Sequence, residues 1–526
     1  MPPYPPPFSG ALHPNSGLGF FILGASLHDI LTRLKAEPQQ FPRIDVIYDQ
    51  DDPVTEPVIV SLPPNGLRLQ FDGPEQRLRL IEVVDFTKNR ITYQDKDIAK
   101  ASTAQGSSRS PKTAGDVASG PAFKNIYHRL FGPTYAGEYV PSADDTDDAG
   151  TYVLSYPGVA FSFPLPKSAY SSDKDVVSLL SSPPSQTASS VAIFSGKSWA
   201  HAREQLWVEV LPSVKSTFPF GKSKEIVPDE ISLVKIHGGG RLQLFKKWTG
   251  SSIWINLGET SPQDLVAELG APDAIYRKND QRMYIHKTRT SSSSRTRASG
   301  LNNNRSDDLT DTDQSSATTG SDESDDEAIE DETVGNVSGE CFYNYFYMGF
   351  DILVSSPQQP SVMPPSQTSR SKDQLPGANI VTGGNLDRLV ATKVVLHANV
   401  PGSYPFNRHR RSRWEISYLN TIDSDGIINS ETPFDMIEER LREEWKGIYA
   451  SQDDAQKRQR GMVLNRGWGD SSGSSCEFLG GWEDSSGGVT AKKLGDSEDS
   501  TTTLYGFPGL VFEVLKNGYV SAVTVY

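Results

Sequence analysis

The sequence predicts an α+β fold of about four repeated units, each a helix and an antiparallel sheet packed as a two-layer sandwich, with disordered insertions between and within them. Three observations carry this prediction: a loop-rich composition, a recurrent strand pattern and a helix signal ahead of it. Of 526 residues, 36% are hydrophobic, 44 are Gly and 36 are Pro. Such a chain is more polar than a compact globule of this length, which indicates ordered pieces separated by polar ones.

The strand pattern is a glycine followed by strictly alternating apolar residues. It occurs four times, at Gly66–Phe71, Gly158–Phe163, Gly349–Val354 and Gly509–Val514. Alternation with a period of two is typical of a strand with one buried face, and the glycine marks the turn before it. A short apolar segment follows each one, at 78–84, 191–194, 394–396 and 520–525. Each pair is therefore predicted to form two consecutive strands of an antiparallel sheet.

A helical segment precedes each pair of strands. The four segments are Ser26–Leu34, Phe123–Leu130, Ser261–Leu269 and Thr432–Leu441. Ser26 and Ser261 are candidate N-caps, Pro262 suits the first helical position, and Gly270 provides a stop. A helix covering one face of a small antiparallel sheet is a stable two-layer arrangement. Units this small are expected to pack together or to pair their sheet edges.

These signals place the repeat units at residues 17–93, 121–250, 251–420 and 430–526. Five polar stretches, at 94–120, 167–190, 287–340, 355–386 and 451–500, contain too few aliphatic residues to recover their ordering entropy and are predicted to be disordered. The first is a linker between units and the others lie within units. Insertions of this kind are tolerated because loop-closure entropy grows only logarithmically with length.

The net charge of −15 comes mainly from one segment. Residues 306–332 hold twelve acidic residues and no Lys or Arg, and the rest of the chain holds 54 acidic and 51 basic residues. The folded parts are thus nearly balanced in charge, and nothing indicates a nucleic-acid partner. A solvated spacer is the favoured interpretation of the acidic segment.

The cysteines and the hydropathy narrow the class of protein further. Cys341 and Cys476 lie far apart, which excludes a disulfide framework and a zinc finger. No apolar run reaches the length that spans a bilayer. We therefore expect a protein of a reducing compartment, in the cytoplasm.

Local motifs do not indicate an enzyme. Gly196–Ser198 and Gly221–Ser223 resemble the end of a phosphate-binding loop, but the glycine required five positions earlier is Val191 or Ser216. Gly469–Gly473 matches the spacing of a nucleophile elbow without its flanking strand and helix. No histidines have metal-ligand spacing, and no cofactor is expected. An active site assembled from distant residues is the remaining enzymatic alternative.

The segment Asn407–Trp414 is the strongest local site candidate. It contains four arginines, Arg408, Arg410, Arg411 and Arg413. Guanidinium groups bind phosphate oxygens in pairs, so the hypothesis is contact with an anionic lipid, a phosphoinositide headgroup, or with an acidic partner. The favoured alternatives are a solvated edge strand, or a partner for the acidic segment 306–332.

Several segments together resemble the phagosome assembly factor 1 family. They are Gly66–Phe86, Phe131–Thr134, Asn344–Leu353, Val395–Asn407 and Val511–Tyr526. They are spread in order over the predicted ordered chain. The long polar insertions depart from the shorter animal and plant pattern and resemble a fungal elaboration.

This resemblance implies a non-enzymatic autophagy adaptor. Members of the family associate with a WD40 β-propeller protein of the breast carcinoma amplified sequence 3 type, and the complex goes to the phagophore assembly site. The family has no established catalytic residues. The alternative function is a scaffold in Golgi or endosomal vesicle trafficking.

Overall fold

The structure, a computed structural model, describes only part of the chain. The described residues are 7–99, 120–142, 148–181, 186–208, 211, 229–277, 340–357, 388–420, 426–449, 451, 457, 459–465 and 501–526. Six α-helices and twenty-five strands are defined within them.

The helices and strands alternate in a regular order along the chain. The helices are α1 (Leu27–Ala36), α2 (Phe123–Asn125), α3 (Val176–Leu180), α4 (Trp199–Gln205), α5 (Pro262–Leu269) and α6 (Phe434–Glu444). The strands of the N-terminal part are β1 (Phe8–His13), β2 (Gly17–Leu18), β3 (Phe21–Ile22), β4 (Asp45–Ile47), β5 (Val58–Leu62), β6 (Leu67–Phe71), β7 (Leu78–Val83), β8 (Asn89–Tyr93), β9 (Lys96–Asp97), β10 (Glu138–Pro141), β11 (Gly150–Tyr156), β12 (Val159–Pro164) and β13 (Ser190–Ile193). Those of the C-terminal part are β14 (Ile231–Ile236), β15 (Arg241–Lys246), β16 (Ser252–Asn256), β17 (Ala274–Arg277), β18 (Cys341–Tyr345), β19 (Phe350–Ser355), β20 (Val390–His397), β21 (Trp414–Ile416), β22 (Met462–Asn465), β23 (Thr501–Phe507), β24 (Leu510–Val514) and β25 (Val520–Val525).

The predicted α+β class and its four helix-then-strand repeats are confirmed. Helices α1, α2, α5 and α6 each precede four antiparallel strands that pair in chain order. All four predicted strand pairs are formed, as β6–β7, β12–β13, β19–β20 and β24–β25. The predicted helix starts hold at two positions, where the Ser26 and Ser261 hydroxyls accept hydrogen bonds from the backbone N–H groups of Asp29 and Asp264.

The four units join in pairs through their last strands. β7 pairs antiparallel with β13, and β20 pairs antiparallel with β25. The result is two eight-stranded sheets, β4-β5-β6-β7-β13-β12-β11-β10 and β17-β18-β19-β20-β25-β24-β23-β22. We call the residues up to 208 the N-half and those from 229 the C-half.

The two halves repeat one topology. Each half opens with a short antiparallel group of strands, β1–β3 or β14–β16, and the first strand of that group pairs in parallel with the strand that follows the first four-stranded unit. β8 is that strand in the N-half and β21 in the C-half. Even the irregularities match, because β6–β7 and β19–β20 each shift register just before the fifth residue after the turn glycine, Phe71 in one and Val354 in the other.

Two glycines show the same backbone requirement in both halves. Gly66 and Gly349 have φ values of 65° and 91°, the left-handed region that favours glycine. A Cβ atom at Gly66 would lie 2.4 Å from the carbonyl oxygen of Asp85, and one at Gly349 would lie 2.5 Å from that of Arg410. The turn before the alternating strand therefore packs against the chain that leaves the next strand.

Each half has its own core. In the C-half, the inner face of the eight-stranded sheet, the strands β14–β16 and β21, and helices α5 and α6 all contribute to one cluster of buried side chains. Trp414, Phe350 and Phe512 lie at its centre with at most 1% of their surfaces exposed. The N-half core is built in the same way from its own strands and helices, and it also includes Phe406 of the C-half.

Two of the predicted disordered stretches are partly wrong. Residues 167–190 contain α3, whose Leu179 and Leu180 are buried in the core of the N-half. Residues 451–500 contain β22, which pairs with β23. In both cases a run of only two to four apolar residues is enough to form the helix or strand, since the run packs on an existing core or pairs with an existing sheet. Most of the other predicted insertions, including residues 287–339, lie outside the described residues.

Two further details differ from the sequence expectation. The predicted unit boundary at residue 250 falls inside β14–β16, which form one sheet with β21. The predicted helix Phe123–Leu130 is α2 followed by a π-helical turn over Ile126–Leu130. Phe123 of α2 and Ile126 of the π-helical turn are both buried in the N-half core.

Candidate functional site

The arginine segment lies in the connection between β20 and β21, residues 398–413, which we call the junction loop. The equivalent connection of the N-half, residues 84–88 between β7 and β8, is much shorter. The extra length carries the junction loop across to the N-half, where its side chains meet α1 and the β6–β7 turn. The candidate site is therefore the contact between the two halves.

Arg410 is the centre of a buried ion network. Its guanidinium group lies 2.5 Å from a carboxylate oxygen of Asp29 on α1 and 2.9 Å from one of Glu230, just before β14. The second oxygen of Glu230 accepts from Arg77 at 2.7 Å. The four side chains are at most 10% exposed. Two positive and two negative charges thus neutralise each other, as buried charges must.

Arg411 and Arg413 attach the junction loop at further points. Arg411 donates to the backbone carbonyl oxygens of Pro74 and Ala398, each at 2.8 Å, and its side chain is 1% exposed. Arg413 pairs with Glu431 at 3.2 Å and with Glu75 at 3.4 Å, and remains one-third exposed. Pro74 and Glu75 belong to the β6–β7 turn, so both arginines connect the halves.

Neutral side chains complete the contact. The Asn399 amide donates to the Gln76 side chain at 2.8 Å, and the Gln76 amide donates to the Asn399 carbonyl oxygen at 2.9 Å. Both residues are buried and both have positive φ values. Farther along, the Tyr519 hydroxyl donates to Asp52 at 2.6 Å. These reciprocal bonds fix the orientation of one half on the other.

The charges of the network hold each other in their ionised forms. Burial alone would raise the pKa of Asp29, but Arg410 and His28 bring it well below its usual range. Burial would likewise raise the pKa of Glu230, and Arg410 and Arg77 lower it below its ordinary value. Burial opposes the charge of Arg410, yet the two carboxylates raise its pKa above the usual value. At neutral pH the network is fully charged.

A second polar cluster lies behind the junction loop. Asp351 on β19 accepts from the Nε2 atoms of His397 and His409, each 2.9 Å from a different carboxylate oxygen. Burial would raise the pKa of Asp351, but the two histidines hold it far below its usual range. Burial and the neighbouring His397 lower the pKa of His409 to about 4. His409 is therefore neutral at pH 7 and donates its Nε2 proton to the carboxylate.

Two histidines and a carboxylate are also a donor set that zinc uses. Their three ligand atoms lie within 4.8 Å of one another. However, the imidazole rings of His397 and His409 are stacked, with centroids 3.8 Å apart and planes 13° apart. Each Nε2 atom faces a different oxygen of the Asp351 carboxylate. Nδ1 of the buried His409 has no hydrogen-bond partner among the described residues, whereas the second ring nitrogen of a metal-bound histidine usually donates to one. The geometry fits a hydrogen-bonded His–Asp–His cluster and does not fit a metal site.

The structure thus gives the four predicted site arginines different surroundings. Arg410 and Arg411 are buried, with Asp29, Glu230 and Glu431 as partners, whereas Arg408 and Arg413 keep part of their surface. Direct contact with a headgroup stays a prediction for the partly exposed pair. The acidic segment 306–332, proposed as an alternative partner, lies outside the described residues. The actual partners come from positions up to 381 residues away in sequence, for which no local pattern gives a signal.

The remaining sequence motifs either lie in turns and strands or fall outside the described residues. Gly196–Ser198 is the turn that leads into α4. Gly221–Ser223, Gly469–Gly473 and Cys476 lie outside the described residues, and Cys341 is on β18. None of the helices in the described ranges is long and apolar enough to cross a membrane.

Sequence comparison with known proteins shows the family of the chain. The family model of phagosome assembly factor 1 matches residues 17–303 and 377–526. A PHAF1 protein of Arabidopsis thaliana is 24% identical over 98% of this chain and 92% of its own length. A PHAF1 protein of Drosophila melanogaster is 20% identical over 96% of this chain and 90% of its own length. No solved structure matches the chain. The family model covers the junction loop and most of both halves, and the chain belongs to the phagosome assembly factor 1 family.

Proposed function

We propose that the chain is a non-enzymatic autophagy adaptor that forms a complex with a WD40 β-propeller protein of the breast carcinoma amplified sequence 3 type. The complex is recruited from the cytoplasm to the phagophore assembly site. The observation that carries the proposal is the family match over residues 17–303 and 377–526. The match includes the junction loop and most of both halves, and leaves out β1, β18 and β19.

The surface of the fold is suited to protein partners. Each eight-stranded sheet ends in two edge strands, β4 and β10 in one and β17 and β22 in the other. Several of these edges carry exposed apolar side chains, with Ile47 and Ile275 each 55% exposed and Val463 68% exposed. An edge strand with apolar side chains binds an added strand or an apolar surface of a partner. This supports an adaptor role over a catalytic one.

Affinity purification tests the partner. The tagged full-length chain is isolated from fed and from starved cells, and the copurifying proteins are identified and quantified by mass spectrometry. We expect a WD40 propeller protein in stoichiometric amount and starvation-dependent puncta of the tagged chain. Trafficking coats or tethers without any propeller protein, together with constant Golgi signal, would contradict the proposal and favour a vesicle-trafficking scaffold.

A peripheral contact with phosphoinositide membranes is a separate part of the proposal. Arg408 and Arg413 are the members of the arginine segment that keep exposed surface for it. Charge reversal of Arg408 to Glu should reduce recruitment to starvation-induced puncta, while the same change at the exposed Arg442 should not. Arg413 is left unchanged in this test because it also joins the halves through Glu75 and Glu431. Full recruitment of the Arg408→Glu variant would remove the lipid contact and leave the propeller interaction untouched.

A further inference from the structure

The turn between β24 and β25 carries an Asn-Gly pair at the contact between the two halves. Asn517 is exposed, and its Nδ2 donates to the backbone carbonyl oxygen of Gln50 in the N-half at 3.0 Å. Its Oδ1 accepts from the backbone N–H of Tyr519 at 3.3 Å. The carbonyl oxygen of Gly518 accepts from the N–H of Phe434, at the start of α6, at 2.8 Å. The turn thus contacts both the other half and a helix of its own half.

An asparagine followed by glycine readily loses its side-chain amide. The backbone nitrogen of the glycine attacks Cγ of the asparagine and forms an N–Cγ bond. The Cγ–Nδ2 bond breaks, and the amide leaves as ammonia with the proton of the attacking N–H. Water then opens the cyclic succinimide at either carbonyl, which gives aspartate or isoaspartate. Glycine favours ring closure because it has no Cβ and its backbone is the most permissive. The reaction needs water and no enzyme.

The described chain offers a buried pair of the same type for comparison. In Asn65–Gly66, the asparagine is 3% exposed and its amide donates to the carbonyl oxygen of Gln40 at 3.0 Å. Ring closure there requires opening of the N-half core. At the β24–β25 turn the attacking N–H, that of Gly518, donates to the carbonyl oxygen of Leu515 at 3.0 Å. Only this exposed turn has to open, and local opening of a surface turn costs far less free energy than opening of a core.

Loss of the amide changes the charge at the contact. Gln50 lies in a segment with three carboxylates, those of Asp49, Asp51 and Asp52. The Tyr519 hydroxyl donates to Asp52 at 2.6 Å, and burial together with this carboxylate raises the pKa of Tyr519 to about 12. A carboxylate at position 517 cannot donate to Gln50 and is repelled by the acidic segment. Isoaspartate also lengthens the main chain and displaces the Gly518 carbonyl oxygen from α6.

We propose that Asn517 is a site of spontaneous deamidation, and that its conversion loosens the contact between the two halves as the molecule ages. The amide that joins Asn517 to Gln50 is then a contact that is lost irreversibly. The inference goes beyond the proposed function, since it requires neither a propeller nor a membrane.

Peptide mass spectrometry of the ageing chain tests the site. The purified full-length chain is incubated at physiological pH and temperature, and the acidic products at each asparagine are quantified over time. In the folded chain we expect Asn517 to react at least about tenfold faster than Asn65, with similar rates once urea unfolds the chain. Equal rates at the two asparagines in the folded chain would overturn the proposal.

The variant Gly518→Ala provides a matched control for the chemistry. A Cβ atom at this position would have no atom within 4 Å, so the added methyl group fits, although the φ of 82° is strained for alanine. We expect deamidation of Asn517 to slow at least about tenfold and that of Asn65 to stay unchanged, because the methyl group obstructs ring closure. An unchanged rate at Asn517 would contradict the succinimide route.

Hydrogen exchange measures the consequence for the contact. Asn517→Asp represents the aged chain, and Asn517→Ser removes the amide without adding a charge. We expect exchange of the backbone amides in residues 49–56 and at Phe434 to be at least about fivefold faster in Asn517→Asp than in the wild type, with a smaller increase in Asn517→Ser. Exchange in α5 should not change. Wild-type exchange rates in Asn517→Asp would contradict the loosening of the contact.

Discussion

The two halves of the molecule share a topology and differ in the segments that are added to their sheets. The N-half covers the outer face of its sheet with α4 and closes the β7–β8 connection with residues 84–88. The C-half has no helix at the position of α4 among the described residues and extends the β20–β21 connection into the junction loop. The duplicated framework is thus constant, and the specialised contacts come from what was added to each copy.

The comparison also separates two kinds of polar group. At the position of Arg68 on β6 the C-half has Asp351 on β19. Arg68 is exposed and pairs weakly, at 3.8 Å, with Glu82, whereas Asp351 is buried under two histidines. Surface ion pairs such as the first contribute at most about 1 kcal/mol. Buried clusters such as the second fix one specific arrangement of the elements around them.

The largest expected effect is at the centre of the junction. Arg410→Ala leaves Asp29 and Glu230 buried without their shared cation, and Arg77 can compensate only Glu230. We expect a loss of about 3–5 kcal/mol in the free energy of unfolding, measured by urea titration. Arg442→Ala breaks an exposed i, i+4 pair with Glu438 and should cost less than about 0.5 kcal/mol. Similar losses for the two variants would show that the halves are not held together by the network.

The next test compares one strand position in the two halves. Ala160→Asp places a carboxylate beneath α4 at a position that is 1% exposed, and should cost about 3 kcal/mol or more. Val511→Asp makes the same charge at the equivalent, partly exposed position, and should cost about 1 kcal/mol. Thermal unfolding of the two variants measures the difference. Equal destabilisation would mean that the C-half sheet is covered at Val511 as the N-half sheet is covered at Ala160.

A smaller effect concerns acid stability of the C-half. The pKa of His409 falls from 6.5 to about 4 on folding, so the unfolded chain binds this proton first and stability is lost as pH falls through this range. The lowered pKa of Asp351 acts in the same direction, because its stabilising charge is lost only on further acidification. The variant His409→Gln keeps a donor for Asp351. Between pH 6.5 and pH 4 its free energy of unfolding should fall by about 2–3 kcal/mol less than that of the wild type. An unchanged pH profile of unfolding would exclude this cluster as a source.

The smallest effects come from the turn glycines. Gly66→Ala and Gly349→Ala combine left-handed strain with a close approach of Cβ to a carbonyl oxygen, and should each cost about 2 kcal/mol. Gly509→Ala has φ of 77° but its nearest contact would be at 3.6 Å, so about 1 kcal/mol is expected from strain alone. Chemical denaturation of the three variants would show whether the halves respond alike. A difference between Gly66 and Gly349 would break their equivalence.

The sequence predicts the elements of this fold because their determinants are local. Alternating apolar residues after Gly66 or Gly509 decide which face of a strand is buried, and the Ser261 cap starts its helix without help from the rest of the chain. The same reasoning missed α3 and β22, since each has only a few apolar residues. Their stability comes from the core or sheet they join, which a window of sequence does not contain.

The junction is the part that sequence reasoning could not reach. The arginine segment is visible as a charge cluster, yet nothing near it indicates whether it faces solvent or carboxylates. Its partner Asp29 reads as an ordinary first-turn acid of a helix, and Glu230 as an isolated charge before a strand. The available clue is the charge balance, because the chain outside residues 306–332 has nearly equal numbers of acidic and basic residues. This balance is compatible with ion pairing but does not indicate which groups pair.

The junction also determines the order in which the molecule folds during its synthesis. Asp29 and Arg410 are separated by 381 residues, which a ribosome adds in about 20–80 s at roughly 5–20 residues per second. During that interval the N-half has its core residues except Phe406 of the junction loop, and Asp29 and Arg77 are hydrated because their ion-pair partners have not yet been synthesised. The nascent N-half is therefore a folded domain with an unfinished surface, and the arrival of the junction loop converts two domains into one body.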